Sequence, residues 1–259
     1  MTIDVYRLHA QVTAWLQASR LHVQAAMRQP LDVTTKSNRN DLVTNVDQQN
    51  QLFLAEQIQT AYPDAHIEGE EGTTDKVNRL DGLVFFVDPI DGTMNFVKQR
   101  AHFAIMIGVY DQGQPVYGAI MDVMQNTIVA GGPDFPARVN DVLLPALPDL
   151  ALADGLIGVN GPMHAHNRMH IADIALASSG ARMSGSAGME FMEIAQNRQL
   201  GYISFLKPWD VAAGMAIVSG QGVVVTRPDG SPIDLLTAGL VVAATPKAHQ
   251  EILTWMQTD

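Results

Sequence analysis

Residues 83–96, Leu-Val-Phe-Phe-Val-Asp-Pro-Ile-Asp-Gly-Thr-Met-Asn-Phe, constrain this chain more than any other stretch. Five apolar residues, Leu83 to Val87, predict a strand buried on both faces. They run straight into Asp88 and Asp91, with Pro89 fixing the backbone between them. Gly92 and Thr93 follow, a small residue and a hydroxyl. An apolar strand that ends in dense negative charge is costly unless a cation sits there. Hard oxygen donors favour Mg²⁺ or a similar ion over zinc. Asp-Pro and Asp-Gly are also ordinary turn dipeptides, so the neighbouring motifs decide between the two readings.

The 259 residues suffice for one large domain or two modest ones, and the composition is that of a globular protein. A formal net charge of −11, with scattered basic residues, argues against a nucleic-acid partner. An acidic enzyme can still handle phosphate esters when its site carries metal ions. The absence of cysteine excludes disulfides, thiolate metal sites and cysteine nucleophiles. Asp4, Arg7 and His9 fall in a helical pattern unlike a signal peptide. The most apolar run, Val211 to Val225, is interrupted by Ser219-Gly-Gln-Gly222 and predicts no membrane span. The expectation is a cytoplasmic protein with no membrane partner.

Periodicity predicts an amphipathic helix over 3–28, a polar turn-rich stretch over 36–47, and a helix from Asp47 to about Thr60. Strands are expected over 103–110, 116–123 and 127–130, with Asp111-Gln-Gly113 as a hairpin turn. From about 155 strands and helices alternate: strand 156–160, helix 166–178, strand 182–185, helix 187–197, strand 201–205, helix 210–219, strand 222–226, strand 240–244 and helix 246–256. The proline-rich stretch 133–148 places a boundary between an N-terminal part, 1–138, with an antiparallel sheet and metal site, and a C-terminal part, 139–259, that completes the site.

Three further motifs bear on chemistry. Gly69-Glu70-Glu71-Gly72 reads as a strand end carrying carboxylates, or as a solvated loop. Asp210 in Lys207-Pro-Trp-Asp210 opens a small-residue helix, or merely caps it. His164, His166 and His170 have a spacing that can bind Zn²⁺, although a surface loop leading into a helix explains them as well.

Asp41-Leu-Val-Thr-Asn-Val-Asp47, Gly69-Glu70-Glu71, Asp88-Pro-Ile-Asp-Gly-Thr93 with Asn95-Phe96, and Trp209-Asp210-Val-Ala-Ala-Gly214 appear in that order. Together they resemble the inositol monophosphatase family of Mg²⁺-dependent, lithium-sensitive phosphatases, within the fructose-1,6-bisphosphatase-like superfamily. The resemblance implies an α/β (α+β) fold, a layered α-β-α-β-α sandwich, and a homodimer. It implies two to three Mg²⁺ ions, with Mn²⁺ or Ca²⁺ able to substitute and Ca²⁺ inhibitory. Glu70, Asp88 and the Ile90 carbonyl would hold the first ion, and Asp88, Asp91 and Asp210 the second. Glu70, with Thr93 and Asp47 as a hydroxyl–carboxylate pair, would orient and deprotonate the attacking water. Asp91, Gly92, Thr93, Gly185, Ser186, Ala187 and Asp210 would contact phosphate or substrate, with Lys36 and Glu71 behind the ligands.

The implied reaction is hydrolysis of a small phosphomonoester: inositol monophosphate, a sugar phosphate or a nucleotide. Inositol-selective members carry a glutamate shortly before the Trp-Asp pair, whereas Tyr202 to Pro208 contain no acid. Alternatives are therefore an NADP 2′-phosphatase, a 3′(2′),5′-bisphosphate nucleotidase, and a non-catalytic regulatory or RNA-binding member of the fold.

Overall fold

The computed structural model describes residues 3–36, 39, 42–72 and 77–257. Asp41, the first residue of the Asp41–Asp47 motif, lies outside them. Helix α1, Val5–Ala26, starts at Asp4, whose side chain accepts from Tyr6 N and Arg7 N. A hairpin of β1, Val33–Thr35, and β2, Leu42–Thr44, follows where a turn-rich stretch was expected. Helix α2, Asn45–Ala61, begins two residues before the predicted start. Its cap is Thr44, and Asp47 completes a reciprocal capping box as the third helical residue.

The first sheet holds β3 (His66–Gly69), β4 (Leu83–Asp91), β5 (Ala104–Asp111), β6 (Gln114–Asp122), β7 (Thr127–Gly132), β8 (Phe135–Val139) and β9 (Val142–Leu143), in that spatial order. β3 pairs parallel with β4, and every other pair is antiparallel. The hairpin β8–β9 lies within the stretch read above as a boundary. Helix α3, Thr93–Gln99, follows β4 directly. β4 does not stop at Val87. It continues through Asp88-Pro-Ile-Asp91, and its pairing with β5 shifts between Asp88 and Asp91. Pro89 falls in that irregularity, so its missing N–H removes no regular ladder bond.

The second sheet has the order β11 (Gly180–Arg182), β10 (Leu156–Val159), β12 (Gly201–Leu206), β14 (Gly239–Ala244), β13 (Val224–Thr226). Around it lie α4 (Gly161–Ala165), α5 (Ile171–Ala177), α6 (Ala187–Ala195), α7 (Pro208–Ser219) and α8 (Pro246–Met256). The single helix expected over 166–178 is broken. Asn167, Met169 and His170 take left-handed backbone conformations, so α5 starts only at Ile171.

Three cores separate five layers. Leu8, Leu16, Leu54 and Ile58 of α1 and α2 pack on Phe85, Val87, Ile105 and Ile107. Val84, Phe86 and Met106, from the opposite face of β4 and β5, meet Phe191 of α6, Ala212 and Ile217 of α7, and Tyr202 and Val241 of the second sheet. Ile157, Ile203 and Val242 then meet Ile171 of α5 and Ile252 of α8. The period-2 alternation of β4 and β5 feeds two cores at once. The result is the α-β-α-β-α sandwich.

Helix α7 lies unusually close to the first sheet. Gly108 and Gly118 are cross-strand partners on β5 and β6. A Cβ at Gly118 would lie 2.2 Å from the Ala213 carbonyl oxygen, and one at Gly108 would lie 2.7 Å from Ala213 N. Because the obstacle is backbone, Gly118→Ala must move α7, which carries Asp210. The expected cost is about 1–3 kcal/mol, read by denaturant unfolding, with lower phosphatase activity in the still-folded variant. An unchanged midpoint would show that the helix is not held there by that contact.

Candidate active site

A cavity of about 540 Å³ opens where β3, β4, α3, α6 and α7 converge. Its lining includes Glu70, Asp88, Ile90, Asp91, Gly92, Thr93, Gly185, Ser186, Ala187 and Asp210. The acidic residues arrive from three distant segments. Glu70 follows β3 and is tied to β4 by Glu70 N donating to Val87 O at 3.2 Å. Asp88 and Asp91 sit on the irregular end of β4. Asp210 is the third residue of α7, after the cap residue Lys207, and its Oδ2 accepts Lys207 N at 2.8 Å.

Packing these carboxylates together disfavours their charged forms. Burial pushes Glu70 up to about 7, against the pull of Lys36. Burial pushes Asp210 up to about 8, with Asp91 and Glu70 adding to it. Asp88 lies well above the ordinary range, through burial first and then the charges of Glu70, Asp91 and Asp210. Asp91 is raised by burial and eased by the donors of Ser186, Gly188 and Ala187. Such a cluster is chemically suited to divalent cations, which would remove the repulsion.

The oxygens are partly committed to protein donors. Asp88 Oδ1 accepts Ile90 N at 3.0 Å. Lys36 Nζ donates to Glu70 Oε1 at 2.9 Å and also to Glu71. Burial alone would lower the Lys36 ammonium, but Glu70 and Glu71 override it and hold it above its ordinary range. Asp91 accepts Ala187 N at 3.0 Å, Gly188 N at 2.7 Å and the Ser186 hydroxyl, and its Oδ1, with the single donor Ala187 N, keeps a lone pair. Among the described residues no three Asp, Glu or His side chains form a ready-made ion cage. One oxygen each of Glu70, Asp88 and Asp210 has no hydrogen-bond donor from a described residue. The donor set thus fits hard cations.

Thr93 Oγ1 lies 3.0 Å from Asp47 Oδ1 and 3.1 Å from Ile90 O. The other Asp47 oxygen accepts Thr44 N at 3.0 Å and the Thr44 hydroxyl. Asp47 is wholly buried, and burial raises it despite these bonds.

Two residues without an assigned role also shape the site. Asn95 Nδ2 donates to His102 O and Ser184 O, both at 2.8 Å, joining α3 to the turn before α6. Glu190, 1% exposed, lines the cavity and accepts Ser184 N at 2.9 Å and Gln199 Nε2 at 2.6 Å. Asn95 stood inside a motif. Glu190 reads in sequence as an ordinary helix acid, and only packing reveals it. The histidines do not converge: His170 Nδ1 pairs with Asp173 Oδ2 at 3.0 Å, α4 ends before His166, and the helical spacing required for a shared ion is absent.

The inositol monophosphatase family model matches residues 6–258. This chain belongs to the inositol monophosphatase family. It is 35% identical over 243 residues, 92% of each chain, to the inositol-1-monophosphatase of Bacillus subtilis (strain 168). It is 32% identical over 227 residues to the Nus factor SuhB of Vibrio cholerae serotype O1, covering 85% of this chain and 84% of that one. A solved IMPase/NADP phosphatase complexed with NADP and Ca²⁺ superposes with a TM-score of 0.92 at 25% identity, over 100% of this chain and 98% of that one. The family member described here is a phosphomonoesterase. No helix among its described residues is long and apolar enough to cross a membrane.

Proposed function

We propose that the cavity hydrolyses a small phosphate monoester with two to three Mg²⁺ ions. The carrying observation is that Glu70, Asp88, Asp91 and Asp210 line one cavity and are all raised by burial, with Asp88 and Asp210 raised further by the charges of others of the four. Glu70, Asp88 and the Ile90 carbonyl would hold one ion, and Asp88, Asp91 and Asp210 another. When bound, the ions neutralise the acidic cluster, polarise the phosphoryl group and acidify water.

The chain's own residues supply the proton path. Glu70, brought up to about 7, takes a proton from the attacking water. Thr93 donates a hydrogen bond to Asp47 Oδ1, which leaves the lone pairs of its hydroxyl oxygen to accept toward the cavity and orient the water. The N–H groups that follow Gly92 face the phosphate position, and Gly185, Ser186 and Ala187 border the ester group. Lys36 and Glu71 set the orientation of Glu70.

The substrate-side wall includes Asn160, Tyr202, Ser204 and Leu206, with Asn160 Nδ2 donating to Ser204 Oγ at 3.1 Å. Strand β12 contributes no carboxylate there, which supports a substrate range broader than inositol monophosphate. The superposable IMPase/NADP phosphatase favours NADP 2′-phosphate hydrolysis as the second reading. The relatives named Nus factor SuhB raise a non-catalytic role, against which the retained acidic site weighs. Phosphate release across inositol, sugar, nucleotide and NADP substrates, with Mg²⁺ and with EDTA, separates these readings. Turnover is expected with at least one class in Mg²⁺ and none in EDTA. EDTA-resistant turnover would end the metal assignment.

A further inference from the structure

A second cavity, of about 190 Å³, shares no residue with the first and lies between α1 and the strands from β7 to β9. The stretches Gly131 to Phe135 and Asn140-Asp141, which carry no role in the phosphatase reaction, border it or shape its hairpins. His9 and Gln17 enter from α1, Arg138 from β8, and Asn126, Asn140 and Asp141 from hairpin turns.

The cavity presents a cation that pairs with no carboxylate among the described residues. The Arg138 guanidinium carbon stands 5.0 Å from the centre of the Phe135 ring. Its Nε is buried with no hydrogen-bond partner, and among the described residues Arg138 makes no ion pair. The one carboxylate on the rim, Asp141, is 73% exposed at its side chain and accepts His9 Nε2 at 2.8 Å. A carboxylate only accepts, so Nε2 carries the proton, and His9 Nδ1 accepts from the Tyr117 hydroxyl at 2.7 Å. Asn140 Oδ1 accepts Ile128 N at 2.8 Å, which leaves its NH₂ group to donate. Gln17 and Asn126 add further amides. A buried N–H without an acceptor is destabilising. In a chain with 27 acidic and 16 basic residues, one guanidinium has nonetheless been left open to a cavity.

We infer that this cavity binds an oxyanion, the phosphate or carboxylate group of a small ligand, through Arg138 and the surrounding amides. Guanidinium is the side chain best matched to two oxygens of one such group. The cavity is about a third the volume of the first, a size suited to a small oxyanion group.

The test uses the full chain in EDTA, where the uncompensated carboxylates around Asp88 repel anions and the catalytic cavity stays silent. Inorganic phosphate and malonate are titrated separately against a chloride control of equal ionic strength, followed by calorimetry and backbone-amide shifts. Saturable binding of at least one is expected, with shifts clustered at residues 9–17 and 126–141. The anion that saturates identifies the class. Arg138→Gln should weaken binding at least about tenfold while Mg²⁺-dependent turnover stays at the parent level. Should that variant not fold, Gln17→Leu, which removes a donor but no charge, is expected to weaken binding measurably. No saturation by either anion, saturation unaltered in a folded variant, or shifts confined to the catalytic cavity overturns the inference.

Discussion

An Asp88→Asn protein is expected to fold and to lose Mg²⁺-dependent turnover, by on the order of 10³-fold or more in kcat/KM. Asp88 is 1% exposed and is opposed by the charges of Glu70, Asp91 and Asp210. The amide retains an oxygen for the Ile90 N–H, so the irregular end of β4 survives. It removes the one charge that both proposed ion positions share. Because that charge is repelled by its neighbours, the variant in EDTA should melt at or above the temperature of the parent. A merely structural aspartate would behave in the opposite way. Steady-state kinetics in Mg²⁺ and calorimetry in EDTA read the two effects. Full activity in a folded Asp88→Asn protein would remove Asp88 from the mechanism.

The second large effect is on stability. Without divalent ions the fold should weaken as pH rises from about 4 to about 8, and Mg²⁺ should restore it at the alkaline end. The sign follows from proton binding. Glu70 and Asp210 lie near 4.5 and 3.8 when unperturbed, but at about 7 and about 8 in the folded chain. Below about 4 both states hold these protons, and the stabilisation is complete. Between the two sets of values the folded state binds more protons than the unfolded one, so each increment of pH favours unfolding. Above about 8 the loss is complete. A fall in Tm of about 5 °C or more across the window is expected for a chain of this size. An ion bound only by the folded state at a hundred times its Kd returns about 2.7 kcal/mol. A pH-independent Tm in EDTA, or indifference to Mg²⁺ at pH 8, would contradict the crowding of carboxylates on which the site rests.

Much of this was legible in the chain. The apolar run ending in Asp88 and Asp91 announced a buried strand carrying carboxylates, and α6, α7 and α8 fall close to their predicted positions. Other local details were not legible in the chain, for definable reasons. Asp88-Pro-Ile-Asp91 could also be read as a turn, but it stays extended because a register shift against β5 accommodates the proline. The helix over 166–178 broke where Asn167, Met169 and His170 adopt left-handed geometry, which no apolar periodicity reports. The hairpin β8–β9 turns on Asn140-Asp141, both at positive φ, inside a stretch whose prolines suggested a linker.

Sequence alone determined the kinds of element and the inventory of hard oxygen donors, because these depend on period, turn chemistry and residue type within a few positions. Tertiary structure decided which oxygens remain open. Lys36 claims Glu70, the start of α6 claims Asp91, and Asp210 reaches the cavity only because α7 can press against Gly108 and Gly118. It also left Arg138 lining a second cavity with its buried Nε lacking a hydrogen-bond partner. Such allocation depends on contacts between segments far apart in the chain, where the competition of donors for each buried oxygen is settled by packing rather than by spacing.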